Sequence, residues 1–218
     1  MINEAVLKLE KRFIDEGEYM NPRKIQADLL EDITALTNEE AMELASRLFM
    51  QTEWRNIWAS VIVFQNHPTA RTSITAEYLE PLGDRMDTWG LVDAFSAIAG
   101  PAWRESYISD ETVMGWTRSE SRWWRRAALV CTVFQNRKAQ GGRGDTPRTL
   151  MVCEVLASDK DDMVAKGMSW ALRDLSKRDR AAVEKFVEEH RDELPALVKR
   201  EVHNKLTLGV KNPRQKLK

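Results

Sequence analysis

Cysteine is scarce in this chain: Cys131 and Cys153 are the two among 218 residues. Two thiols make no disulfide framework, and they point to a reducing, cytosolic compartment. No stretch approaches 18 uncharged apolar residues, so no membrane span is expected. The opening MINEAVLKLEKRF carries acids and lacks the apolar run of a secretion signal. Strand-type alternation of apolar and polar residues is nearly absent. Also missing are a GxxxxGK[ST] loop and a GxGxxG turn after a strand, which argues against a nucleotide cofactor. His67, His190 and His203 are far apart and do not pair with the cysteines at ligand spacing, so no metal is expected. No serine sits in a nucleophile elbow. Cys131 lies in an apolar helical stretch and reads as core. With neither cofactor nor metal expected, the available chemistry lies in carboxylates, arginines and eight tryptophans.

What is present fits a water-exposed globular protein: 43% hydrophobic and 31% charged residues. The net charge of −1 hides an uneven distribution. Residues 1–53 hold 6 basic and 12 acidic groups, residues 118–148 hold 8 and 2, and residues 199–218 hold 7 and 1. Such blocks can build one strongly positive surface, or they can be ordinary solvated helix faces.

WRNIWASVIVFQN at 54–66 returns as WRRAALVCTVFQN at 124–136, an offset of 70 residues. That interval fits two units of a tandem helical repeat. Apolar spacing predicts helices over 2–17, 22–34, 38–51, 54–66, 70–81, 87–99, 103–109, 111–118, 121–137, 147–157, 161–176, 179–190 and 194–206. Thr37-Asn38-Glu39-Glu40 and Ser119-Glu120-Ser121 read as helix starts. Breaks are expected at His67-Pro68, Gly100-Pro101 and Gly141-Gly142. The expected fold is all-α, a curved solenoid of stacked helical repeats occupying residues 1–218 as one domain, with a basic tail from about 209 to 218. AQGGRGDTPRT at 139–149 reads as a flexible basic loop.

Most tryptophans fill cores, and Trp54, Trp58, Trp103 and Trp116 are assigned to packing. Two others have telling neighbours. In MDTWGLVDAF, Trp89 and Asp93 are one helical turn apart, so an indole and a carboxylate share a face, and both attract a cation. In DDMVAKGMSWALRDL, Trp170 has Lys166 and Arg173 on its face, a pattern suited to a phosphate backbone and a base. SRWWRRAAL places Arg122, Arg125 and Arg126 in the first turns of a helix, where forked donors add to exposed N–H groups. The plain alternatives are pairs between these arginines and neighbouring acids, and between Asp93 and an arginine of the adjoining repeat.

MDTWGLVDAF, SESRWWRRAALV, and KGMSWALRDL followed by VKREVHNKL together resemble the HEAT-like-repeat DNA alkylation-repair proteins of the AlkD type, over about residues 50–208. The resemblance implies a monofunctional glycosylase that removes N3- and N7-alkylated purines from duplex DNA without flipping the base into a pocket. It implies that Trp89 and Trp170 contact the lesion nucleotide, that Asp93 is the catalytic carboxylate, and that Arg126 contacts DNA. Arg122, Arg125, Lys166 and Arg173 are further candidates for DNA contact. The partner expected is double-stranded DNA carrying alkylated purines, bound by a monomer. Two rivals stand beside this: a non-catalytic member of the same fold that binds unusual DNA structures, and a helical-repeat scaffold for proteins.

Overall fold

Local chemistry sets each helix start in the computed structural model, which describes residues 3–16 and 27–213. Thr37 closes a capping box with Glu40 at the head of α3 (Asn38–Phe49). Thr88 caps α6 (Trp89–Arg104), Ser121 caps α8 (Arg122–Asn136) and Asp161 caps α10 (Asp162–Leu175) through bonds to backbone N–H groups. The remaining helices are α1 (Glu4–Glu16), α2 (Ala27–Ala35), α4 (Trp54–Asn66), α5 (Ala76–Asp84), α7 (Asp110–Thr117), α9 (Thr146–Val155), α11 (Arg180–Glu189) and α12 (Ala196–Leu208). Among the described residues there is no strand. The expected start at Pro22 lies outside them, as do residues 2 and 17 of the first expected helix and residues 214–218 of the basic tail.

From α4 onward the helices form two rows of a solenoid, with α3 packed on α4 and α1 on α3. One row runs α4, α6, α8, α10, α12, each packed on the next; the other runs α5, α7, α9, α11 along its side. Bonds between successive helices of the first row join residues about one repeat apart: Arg126 to Asp93, 33 residues away, and Gln135 to Gly100, 35 away. The 70-residue sequence echo is therefore two such steps, from α4 to α8. The echoed helices end alike, with Asn66 and Asn136 each donating from Nδ2 to the carbonyl four residues earlier. Burial follows the rows: twelve of sixteen residues of α6 and eleven of fifteen of α8 are buried, so these two form the centre of the core.

Three sequence expectations need correction. No break occurs at Gly100-Pro101: the helix expected at 87–99 runs on to Arg104 as α6, and the one expected at 103–109 does not form, residues 105–109 being non-helical. Gly100 is small to admit a neighbour: a Cβ there would lie 2.8 Å from Phe134 Cβ of α8. Pro101 lacks the N–H of one helical bond, yet the helix runs on for three more residues under its tertiary packing. The chain turns afterwards, at Ser106 with φ 63°, and Tyr107 N bonds back to Ala102 O. The helix expected at 70–81 is a 3-10 turn, Ala70–Ser73, followed by α5, because Thr75 caps a fresh start by accepting from Tyr78 N. The loop before α9 is firmly held, as described below. No helix is long and apolar enough to cross a membrane.

Candidate DNA-binding and active site

Four successive turns of the solenoid meet at a hollow of about 450 Å³ lined by Trp89, Asp93, Arg126, Arg137, Met163, Lys166, Trp170, Arg173 and Lys211. Helix α6 supplies the first two, α8 Arg126, and α10 Met163, Lys166, Trp170 and Arg173. A larger hollow of about 580 Å³, lined mainly by apolar groups including Trp54, Trp58, Phe64 and Phe134, lies alongside.

At the centre of the smaller hollow, Arg126 Nη2 donates to Asp93 Oδ1 at 3.1 Å, and Arg126 Nη1 donates to Met163 O at 2.9 Å. Arg126 is only 6% exposed. Its stem lies against Gly167, where a Cβ would come within 3.4 Å of Arg126 Cγ, so the glycine leaves room for the arginine between α8 and α10. The Asp93 side chain is 17% exposed. Burial pushes its carboxyl above the usual carboxylate range, and the charge and hydrogen bond of Arg126 pull it back. Asp93 Oδ2 accepts no hydrogen bond from the described residues, which leaves it for an incoming group.

The two indoles differ. Trp170 Nε1 donates to Asp174 Oδ2 at 2.8 Å, and Asp174 is buried and paired with Lys177. Trp89 is 57% exposed and has no hydrogen-bond partner among the described residues. It leans on Trp54, with ring centroids 6.4 Å apart. Trp54, read as packing from sequence, is 41% exposed; its ring lies over Gly90, where a Cβ would be 2.6 Å from Cζ3. Trp103 and Trp116 are buried and Trp58 is half-buried.

The cations divide. Lys166 pairs with Asp162 at 2.6 Å on the rim. Arg173 Nε donates to Ser169 Oγ, and the buried Glu201 accepts from that same hydroxyl at 2.6 Å. Burial lowers the pKa of Arg173, while Glu201 and then Asp174 raise it. Arg122 and Arg125 are not brought to the hollow. Arg125 bonds Asp159 at 2.7 Å and two carbonyls, and Arg122 stacks on Trp123 and faces Asp161 at 3.5 Å.

Sequence reasoning missed Arg137 and Lys211. Arg137 follows the FQN that ends the repeated motif, which was the available signal. Lys211 reaches the hollow because Gly209 takes φ 73° and reverses the chain, and Asn204 holds Lys211 O; Lys211 Nζ then lies 3.3 Å from Glu201. Among the described residues no group of three or more His, Cys, Asp or Glu could hold a metal.

A profile of the DNA alkylation repair enzyme family matches residues 20–206. The chain belongs to that family. This gives it a DNA repair role with DNA as its partner. The match begins upstream of the 50–208 span in which the three motifs show the likeness. Among solved structures, the crystal structure of smu.31 from Streptococcus mutans UA159 matches with a TM-score of 0.59 and 20% identity, covering 96% of this chain and 100% of that one. At that identity the likeness speaks for the fold alone. No curated protein matches the sequence.

Proposed function

We propose that this DNA alkylation repair family member is a monofunctional glycosylase that hydrolyses the N-glycosidic bond of N3- and N7-alkylated purines in duplex DNA. The carrying observation is one carboxylate, Asp93, with a free oxygen in a hollow walled by two indoles and rimmed by cations. An alkylated purine bears a positive charge and leaves without being protonated. As the bond breaks, positive charge grows on C1′ of the deoxyribose. A carboxylate facing C1′ stabilises that oxocarbenium ion and orients the attacking water. Indole faces attract the cationic base and the developing sugar cation by roughly 0.5–2 kcal/mol each.

In this mechanism Arg126 has two tasks. Its charge favours the ionised form of Asp93 against the effect of burial, and its hydrogen bond fixes the carboxylate so that Oδ2 faces the sugar. Lys166, Arg173 and Arg126 supply positive charge along the phosphates, and selection rests on the lesion's charge and lability more than on pocket shape. Arg122 and Arg125, outside the hollow, serve as flanking contacts at most. The reading carries with it a cytoplasmic, monomeric enzyme acting without metal or cofactor.

A non-catalytic DNA-binding role is the second reading. The observation favouring it is the Asp93–Arg126 pair itself, which is also what a purely structural ion pair looks like. Base release from methylated duplex DNA separates the two. Wild type is expected to release 7-methylguanine or 3-methyladenine and Asp93→Asn to lose at least 100-fold in single-turnover rate, within the range a general base contributes. Binding without release by folded wild type would refute catalysis.

A further inference from the structure

Of the five cations lining the hollow, four have an acid partner. Arg126 has Asp93, Lys166 has Asp162, and Arg173 and Lys211 share Glu201. Arg137 has none among the described residues. Its guanidinium is exposed and lies over the Trp170 ring, 5.9 Å from the centroid. An exposed arginine resting on an indole is held loosely, and no carboxylate must be given up when it moves.

Its backbone is held firmly. Arg137 N bonds Val133 O at 2.9 Å, and Arg137 O accepts from both Gln140 N and Gly142 N at 3.0 Å. The following loop is tied down from two sides. Arg104 Nη1 donates to Gln140 O at 3.0 Å, while Arg178 donates to Asn136 O and Gly142 O at 2.7 and 2.8 Å. Gly142 permits this closure: a Cβ would lie 2.6 Å from Arg137 N. The GGRGD loop is thus a rigid bracket at the end of α8, and the side chain it presents to the hollow is Arg137.

We propose that Arg137 is a phosphate contact of the bound duplex, parked on Trp170 in the free protein and released to the DNA backbone when a base takes that face. This rests on the DNA-binding reading above. The charge pairing in the hollow supports it: the other four cations are partly neutralised, so the unpaired guanidinium is the group best able to displace a counterion from DNA.

The test is the salt dependence of binding to an undamaged duplex, by fluorescence anisotropy, for wild type, Arg137→Gln, Arg137→Lys and Gly142→Ala. Losing one phosphate contact reduces the slope of log K against log salt by about 0.9. Arg137→Gln is expected to show that loss, Arg137→Lys to keep the wild-type slope, and Gly142→Ala, which displaces the bracket but keeps the charge, to fall toward Arg137→Gln. Thermal unfolding of Arg137→Gln should match wild type, because an exposed, unpaired side chain holds nothing together. An Arg137→Gln slope and affinity equal to wild type would overturn the proposal. Absence of salt-dependent binding by wild type would instead refute the DNA-binding reading beneath it.

Discussion

Replacing Gly100 with alanine sets helix propensity against packing, and the two have opposite signs. Glycine inside a helix costs about 0.8–1.0 kcal/mol relative to alanine, so propensity alone makes Gly100→Ala stabilising. The structure says otherwise. The added methyl would meet Phe134 at 2.8 Å from Cβ and 3.0 Å from Cγ and Cδ2. A Cβ cannot rotate aside, because it is fixed to the α8 backbone, so α6 and α8 must separate. Overpacking of this kind costs typically 1–3 kcal/mol. The net expectation is a loss of about 1 kcal/mol, or roughly 2–4 °C in Tm for a chain of this size. Denaturant unfolding at constant m measures it. The same separation draws Asp93 on α6 away from Arg126 on α8, so base release should slow as well. A Tm equal to or above wild type would refute the claim that Gly100 is there for helix contact.

Two further outcomes follow from the titrating groups. Burial raises Asp93 and Arg126 lowers it, so removing the arginine charge in Arg126→Gln leaves burial unopposed. The carboxylate then forms only at higher pH, and the acid limb of base release should move upward; an unmoved limb would detach the activity from Asp93. The stability sign agrees: between the ordinary carboxylate range and the raised native value, the folded chain holds the extra proton, so ionising Asp93 subtracts stability as pH rises through that window. Cys131 is fully buried and its thiol is pushed up to about 12, so Ellman's reagent should label neither it nor the equally buried Cys153 until the protein is denatured. Rapid labelling of the native state would contradict the packing around α8.

Helix positions were legible because apolar spacing and short polar caps are local signals. Thr37 and Ser121 cap where the sequence suggested. Gly100-Pro101 misled because glycine has two uses, ending a helix and admitting a neighbour, and only the packing of α8 distinguishes them. For the hollow, residues on one helix face were readable: Trp89 with Asp93, and Trp170 with Lys166 and Arg173. Pairings across repeats were not. Nothing within WWRRAAL says that Arg126 turns to Asp93 while Arg125 turns to Asp159, because both partners lie more than thirty residues away. Trp54 read as core because its exposure depends on Gly90 of another helix. Lys211 was hidden behind a chain reversal at Gly209.

The unequal anchoring of the two indoles has a consequence for how any cation is received between them. Donation of the Trp170 N–H to the Asp174 carboxylate pushes electron density back into the ring and deepens the negative potential over its faces, so this wall is both stationary and electronically primed. Trp89, unbonded and mostly in water, must be brought to order by whatever it closes on. Ordering such a side chain costs about 0.5–1.5 kcal/mol. A flat guest therefore meets one anvil and one loose leaf, and guests differ in residence time chiefly by how well they still the leaf.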